Sequence, residues 1–247
     1  MSKRSLKVNY NNYVRIEMNI QHHYIEKGDG FPMILLHGNG EDNQYFEHQV
    51  QYFSKFYRVI ALDTRGHGKT ARGEQLLTLE QFAEDLKHFL DGQNISKAIL
   101  LGFSDGGNIA LLFTIKYQSY VKALILDGAN LYPAGLKAIA RIPIRIGYGC
   151  CLLLARIDKR WIGKAEMLKL MSHQPNIVPA LLGAVTIPVL VMAGTRDIIK
   201  KSHTYEIYRS LPNARLAILK GDHFIAAKCP GVFNQQVQKF LKLSENE

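Results

Sequence analysis

Cysteine is scarce in this chain: three in 247 residues, Cys150 and Cys151 adjacent and Cys229 far downstream. No disulfide framework and no paired zinc-ligand clusters can be drawn from that spacing, and reduced thiols fit a cytoplasmic location. Eight prolines and twenty glycines are an ordinary globular share, so collagen-like, mucin-like and disordered readings fail. Repeats, low-complexity tracts and Pro/Ser-rich tethers are absent, which argues against a second domain on a linker. Long apolar runs are missing too. The first twelve residues carry Lys3, Arg4 and Lys7 without the apolar stretch of a secretory signal. The longest uncharged apolar run in mid-chain, Ile146 to Ala155, has ten residues, where a bilayer-spanning helix needs about 20, so no transmembrane segment is expected. Acid is in deficit, 21 Asp and Glu against 31 Lys and Arg. The imbalance is concentrated between Lys137 and Lys169, where eight bases face only Asp158 and Glu166. Bases spread over helices usually form a solvated face, so no nucleic acid is expected, and an anionic membrane is a less favoured partner for this segment.

What is present is alternation. Val14 to Ile20, Pro32 to Leu36, Tyr57 to Leu62, Ala98 to Leu101, Val121 to Leu126, Pro188 to Ala193 and Ala214 to Leu219 read as strands. Several are apolar throughout, as strands covered on both faces must be. Helical spacing recurs in Glu41 to Ser54, Leu79 to Leu90, Asp105 to Tyr117, His203 to Ser210 and Gly231 to Leu243. Such a chain is α/β: a mostly parallel sheet with helices on both faces, its first strands, up to about Glu26, pairing as an antiparallel edge. Asn130 to Thr186 breaks the rhythm, with helical pattern in Leu136 to Ile142, Cys151 to Ile157 and Ile162 to Met171 but no strand. The expected division is a core of residues 1–129 and 187–247 with residues 130–186 inserted over the sheet as a helical cap.

Ligands of an open parallel sheet bind beyond the carboxyl ends of its strands, where loops and helix N-termini converge. The chemistry should therefore follow the strand runs. After Leu101 comes Gly102-Phe103-Ser104-Asp105-Gly106-Gly107, a G-x-S-x-G turn whose small residues allow a serine on a strained strand-to-helix elbow. Ser104 is the candidate nucleophile. The N–H of Asp105, at the start of the next helix, and that of Asn39, in the turn His37-Gly38-Asn39-Gly40, are candidates to hold an oxyanion.

A serine needs a base. Of nine histidines, His223 stands after the last strand and before the final helix, whereas His37 and His67 sit in glycine turns and the rest on helices, the edge strand or the insertion. A carboxylate one loop away must hold the imidazole in one tautomer. Asp197, after Pro188 to Ala193, is placed for it, with Asp127 as rival, while Asp222 points elsewhere. Asp63 to Thr70, DTRGHGKT, approaches the phosphate-cradling G-x-x-x-x-G-K-[ST] pattern but lacks its first glycine. With no HExxH, Cys/His ligand spacing or GxGxxG, no metal and no cofactor is implied.

The order Ser104, Asp197, His223, with GFSDGG, HGNG and the loop Asp63-Thr64-Arg65-Gly66-His67-Gly68, resembles the α/β-hydrolase superfamily, serine-nucleophile esterase/lipase-like branch. The resemblance runs from about Tyr10 to Leu243. Epoxide hydrolases and haloalkane dehalogenases of that superfamily carry Asp at the nucleophile position, and Ser104 argues against both. Related amino-acid ester hydrolases place an acid where Asp105 stands, which implies a cationic or α-amino ester as one substrate class.

The expected activity is hydrolysis of a small ester, thioester or lactone through an acyl-enzyme. C–C bond hydrolysis, aminoacyl ester or peptide hydrolysis, and a non-catalytic ligand-binding role on the same scaffold are the alternatives. His37, Gly38, Phe103, Tyr132, Trp161 and Phe224 are candidates to line the substrate pocket, with the apolar residues of the cap as its lid.

Overall fold

The computed structural model describes residues 20–244. Seven strands form one sheet in the order β1-β3-β2-β4-β5-β6-β7. They are β1 (Tyr24–Lys27), β2 (Pro32–Leu36), β3 (Arg58–Leu62), β4 (Ala98–Phe103), β5 (Val121–Asp127), β6 (Val189–Gly194) and β7 (Ala214–Leu219). All neighbours are parallel except β1, which pairs antiparallel with β3. The edge strand is therefore Tyr24–Lys27. The expected strand Val14 to Ile20 lies outside the described residues but for Ile20.

Side chains alternate across the pleat. Ile34, Leu36, Ile60 and Leu100 point to one core, closed by α2 (Leu79–Gly92), α3 (Asp105–Tyr117) and α6 (Lys201–Ser210). Met33, Leu35, Val59, Ile99 and Leu101 point to the other, closed by α1 (Glu47–Phe53), α7 (Ile225–Lys228) and α8 (Pro230–Ser244). β4, apolar in every residue but Gly102, is buried along its whole length, which is why its sequence runs without alternation. Helix starts follow local chemistry: the Thr78 hydroxyl accepts the Gln81 N–H at 3.0 Å to open α2.

Between β5 and β6 lie α4 (Ala138–Ala155) and α5 (Trp161–His173). Three short helices were expected here, and the structure has two, because α4 runs through Pro143, Gly147 and Gly149. A proline in the second turn of a helix forfeits few backbone bonds. α4 is thus a continuous, largely apolar rod of 18 residues, longer than the ten-residue apolar run in the sequence.

Candidate active site

Ser104 joins β4 to α3 with φ +52° and ψ −119°, a left-handed backbone that a residue with a side chain adopts only under strain. Its glycine neighbours exist for closeness. A Cβ on Gly102 would lie 2.3 Å from the Gly106 carbonyl oxygen, and one on Gly106 only 2.0 Å from that of Leu36. The bare backbone lets α3 start hard against β4 and β2. The Ser104 N–H is fastened to the Asp127 carbonyl at 2.8 Å.

His223, on the loop after β7, brings Nε2 to 3.1 Å from Ser104 Oγ and Nδ1 to 2.7 Å from Asp197 Oδ1. Both His223 and Asp197 are buried. Asp197, just past β6, also accepts the N–H groups of Ile199 at 2.9 Å and Gly194 at 3.3 Å, which fix the carboxylate's aim. The imidazole is wedged between Phe103 and Phe224, with ring centroids 4.8 and 5.5 Å away. Gly128 clears space for it: at φ +62°, a Cβ there would sit 2.7 Å from His223 Cε1. Sequence reasoning passed over Gly128, whose only signal was a glycine ending a strand.

The backbone N–H groups of Asn39 and Asp105 have no acceptor among the described residues. Asn39 is held by its side chain, which donates to Asp105 Oδ2 at 3.0 Å and to the Met167 carbonyl of α5 at 3.1 Å. Arg72 Nε reaches Glu166 of α5 at 2.9 Å, so the inserted helix is tied to the loops around Ser104 at two points. Asp105 accepts a second amide, from Asn108 at 3.2 Å.

Three carboxyl groups crowd this end of the sheet. Burial raises Asp105 above the ordinary carboxylate range although Asn39 and Asn108 donate to it. Burial also pushes Glu41 up to about 7, against the Gly38 N–H that donates to it at 3.2 Å. Asp127, the rival acid, is raised well above its usual range by burial and then by the charges of Asp197 and Glu41. Neither of its oxygens has a partner among the described residues. A carboxyl whose charge burial disfavours is a poor partner for an imidazolium, and Asp197 is the one that meets His223. Asp222 is occupied by the Phe224 N–H at 2.9 Å and the Lys228 ammonium.

The competing histidines are struts. His37 takes the Thr64 N–H on Nε2 at 3.0 Å and meets the Gly38 carbonyl through Nδ1 at 2.7 Å, and burial lowers its pKa to about 4. With both nitrogens bound to backbone and the ring buried, His37, expected at the substrate pocket, has no free nitrogen to offer a substrate. Gly38 sits under it, where a Cβ would press on Phe103 and the Glu41 carboxylate at 3.0 to 3.1 Å. His67 Nδ1 lies 3.0 Å from the Arg65 carbonyl. The loop DTRGHGKT folds around its own carboxylate: Asp63 accepts the N–H groups of Asn43 at 2.7 Å and Lys69 at 2.9 Å. A Cβ on Gly68 would lie 2.3 Å from Asp63 Oδ2, so an acid side chain fills the cradle that resembled a phosphate site.

Phe103 and Phe224 reach the site as expected, Phe224 on its exposed rim. Tyr132 and Trp161 are not brought to it by any hydrogen bond or ring contact among the described residues. Tyr132 bonds Glu206 of α6 at 2.6 Å and packs edge-on against His203. Trp161 opens α5 with the Lys164 ammonium 4.7 Å from its ring centroid.

A doubly covered, mostly parallel sheet with a serine elbow after β4 is an architecture with many known counterparts. The α/β hydrolase fold family matches residues 32–145. Human serine hydrolase BPHL is 28% identical over 249 residues, spanning 90% of this chain and 84% of that protein. The enol-lactonase from Burkholderia xenovorans LB400 superposes with a TM-score of 0.76 at 19% identity, over 90% of this chain and 96% of its own. The meta-cleavage product hydrolase from Pseudomonas fluorescens IP01 does so with a TM-score of 0.73 at 24% identity, over 90% and 95%. These matches give the chain the α/β hydrolase fold. It is a hydrolytic enzyme built on that fold.

Proposed function

We propose that this protein is a serine hydrolase that cleaves a small ester, thioester or lactone through an acyl-enzyme. The observation that carries the reading is the unbroken relay from Ser104 Oγ through His223, at 3.1 Å, to buried Asp197, at 2.7 Å. As Ser104 Oγ bonds to the acyl carbon, its proton passes to His223 Nε2, and Asp197 balances the imidazolium. Collapse of the tetrahedral adduct breaks the bond to the leaving group, which takes that proton. Water then attacks the acyl-enzyme by the same route and frees the acid. The N–H groups of Asn39 and Asp105 hold the oxyanion. Each such donor contributes about 3 kcal/mol in comparable sites.

Residues 130–186 act as a cap, since α5 touches the oxyanion turn through Met167 and the neighbouring loop through Glu166. A fluorophosphonate probe should label the protein at Ser104 alone, read by peptide mass spectrometry. Stoichiometric labelling at another residue, or none, refutes the reading.

The carboxyls of Asp105 and Glu41 favour a cationic member of this substrate class. Both interact electrostatically with His223, and the hydrogen-bond donors to Asp105 are neutral amides. A substrate ammonium would restore the charge that burial disfavours. Asp105→Asn should therefore slow aminoacyl esters at least about tenfold more than neutral esters of equal size, in kcat/KM. Equal slowing would mean that Asp105 only supports the turn.

A further inference from the structure

α4 is built the wrong way round for a helix that serves only to pack. One flank lies on α5, where a Cβ on Gly147 would touch Leu168 at 3.3 Å and Tyr148 packs edge-on against His173. Only Cys151 of its 18 residues is buried. The opposite flank bears Ile139, Ile142, Ile146 and Leu153, with Ile157 just beyond the helix end. These steps of three, four and seven residues keep one line along a helix surface. Their exposure is high: 81% for Ile139, 61% for Ile146 and 86% for Ile157. A ridge of large aliphatic residues this long is not the scatter of single apolar side chains found on any surface.

Charge frames the ridge. Arg141 and Arg145 stand on one side of it, and Arg156, Lys159 and Lys164 gather at its end. Among the described residues none of the five has a carboxylate partner. The acids of the segment are already engaged, Asp158 by Arg160 and Glu166 by Arg72. An apolar stripe with unanswered cations along its border is complementary to a layer whose headgroups are anionic and whose interior is hydrocarbon.

The geometry points to a membrane-docking surface: we propose that the ridge of α4 lies in the interface of an anionic lipid bilayer, aliphatic side chains in the acyl boundary and Arg and Lys at the phosphates. The helix lies on the bilayer and does not span it. Eighteen residues rise only about 27 Å, short of the roughly 30 Å hydrocarbon core. Arg141 and Arg145 fall within that length, and α5 covers the other flank. The snorkelling reach of Arg and Lys suits the headgroup level.

The test is co-flotation of the full chain with vesicles. It should bind vesicles of phosphatidylcholine containing a minor share of phosphatidylglycerol, at least about tenfold more than vesicles of phosphatidylcholine alone. Raising salt from about 0.05 M to about 0.5 M should weaken binding markedly. The triple variant Ile139→Ser, Ile146→Ser, Ile157→Ser and the charge variant Arg145→Gln, Arg156→Gln, Lys159→Gln should each lose binding at least about tenfold. Circular dichroism and melting temperature should match the parent, since all six residues are exposed.

No partition, or binding indifferent to headgroup charge, salt and both variants, overturns the proposal. So does a concentration-dependent dimer that the isoleucine variant abolishes in the absence of vesicle binding, which would assign the ridge to a second copy. Binding to duplex DNA without binding to acidic vesicles overturns it equally.

Discussion

Ser104→Ala should lower kcat on short acyl esters at least about 10⁴-fold, with the melting temperature nearly unchanged. The size follows from removing the only atom that bonds to substrate. What survives is the pair of N–H donors and binding, which in comparable triads leave a residue of activity over water. Stability should hold because the hydroxyl contributes a single polar contact among the described residues, to His223, and alanine keeps the same backbone demand at φ +52°.

Asp197→Asn should cost about as much, on the order of 10⁴ in kcat. Asparagine fits the same space, but its amide N–H cannot accept from His223 Nδ1. The ring then turns its acceptor nitrogen toward residue 197 and presents a proton to Ser104. Burst and steady-state assays on p-nitrophenyl esters measure both variants. A loss under about tenfold in either would remove that residue from the chemistry.

Gly106→Ala should unfold the protein, or lower its stability by more than about 3 kcal/mol, roughly 10 °C in melting temperature for a chain of this size. The new Cβ would lie 2.0 Å from the Leu36 carbonyl oxygen and 2.5 Å from that of His37. Both are backbone atoms in or beside a central strand and cannot swing aside. Relief would require α3 to move off β2, which would open both the core and the elbow. Gly163→Ala is the matched control. It lies in α5 with open space where its Cβ would go, so alanine there should stabilise by about 0.5 to 1 kcal/mol through the unfolded chain. Equal effects of the two substitutions, by denaturant titration, would contradict the crowding described at the elbow.

The central strands were legible because burial on both faces leaves no polar positions: β2, β4 and β6 announce themselves as unbroken apolar runs. Ser104, His223 and Asp197 were legible because loops after such strands must converge at one edge, and chain order then singled out a hydroxyl, a base and an acid. Gly128 was not legible, since its need comes from a ring brought in from 95 positions further along the chain. The bracing of His37 is not legible in the sequence, because its two hydrogen bonds run to backbone groups, the Thr64 N–H and the Gly38 carbonyl, that leave no mark on side-chain identity. α4 was split in two because Pro143 and the paired glycines are poor helix formers. Its packing on α5 outweighed local propensity.

Trp161 is the chain's sole indole, and it stands at the first turn of α5, half-exposed beside the Lys164 ammonium. The protein therefore carries its own optical probe, placed in the inserted segment and nowhere else. Emission maximum, iodide quenching and anisotropy of the unlabelled molecule all report on those two helices, free of background from the sheet below.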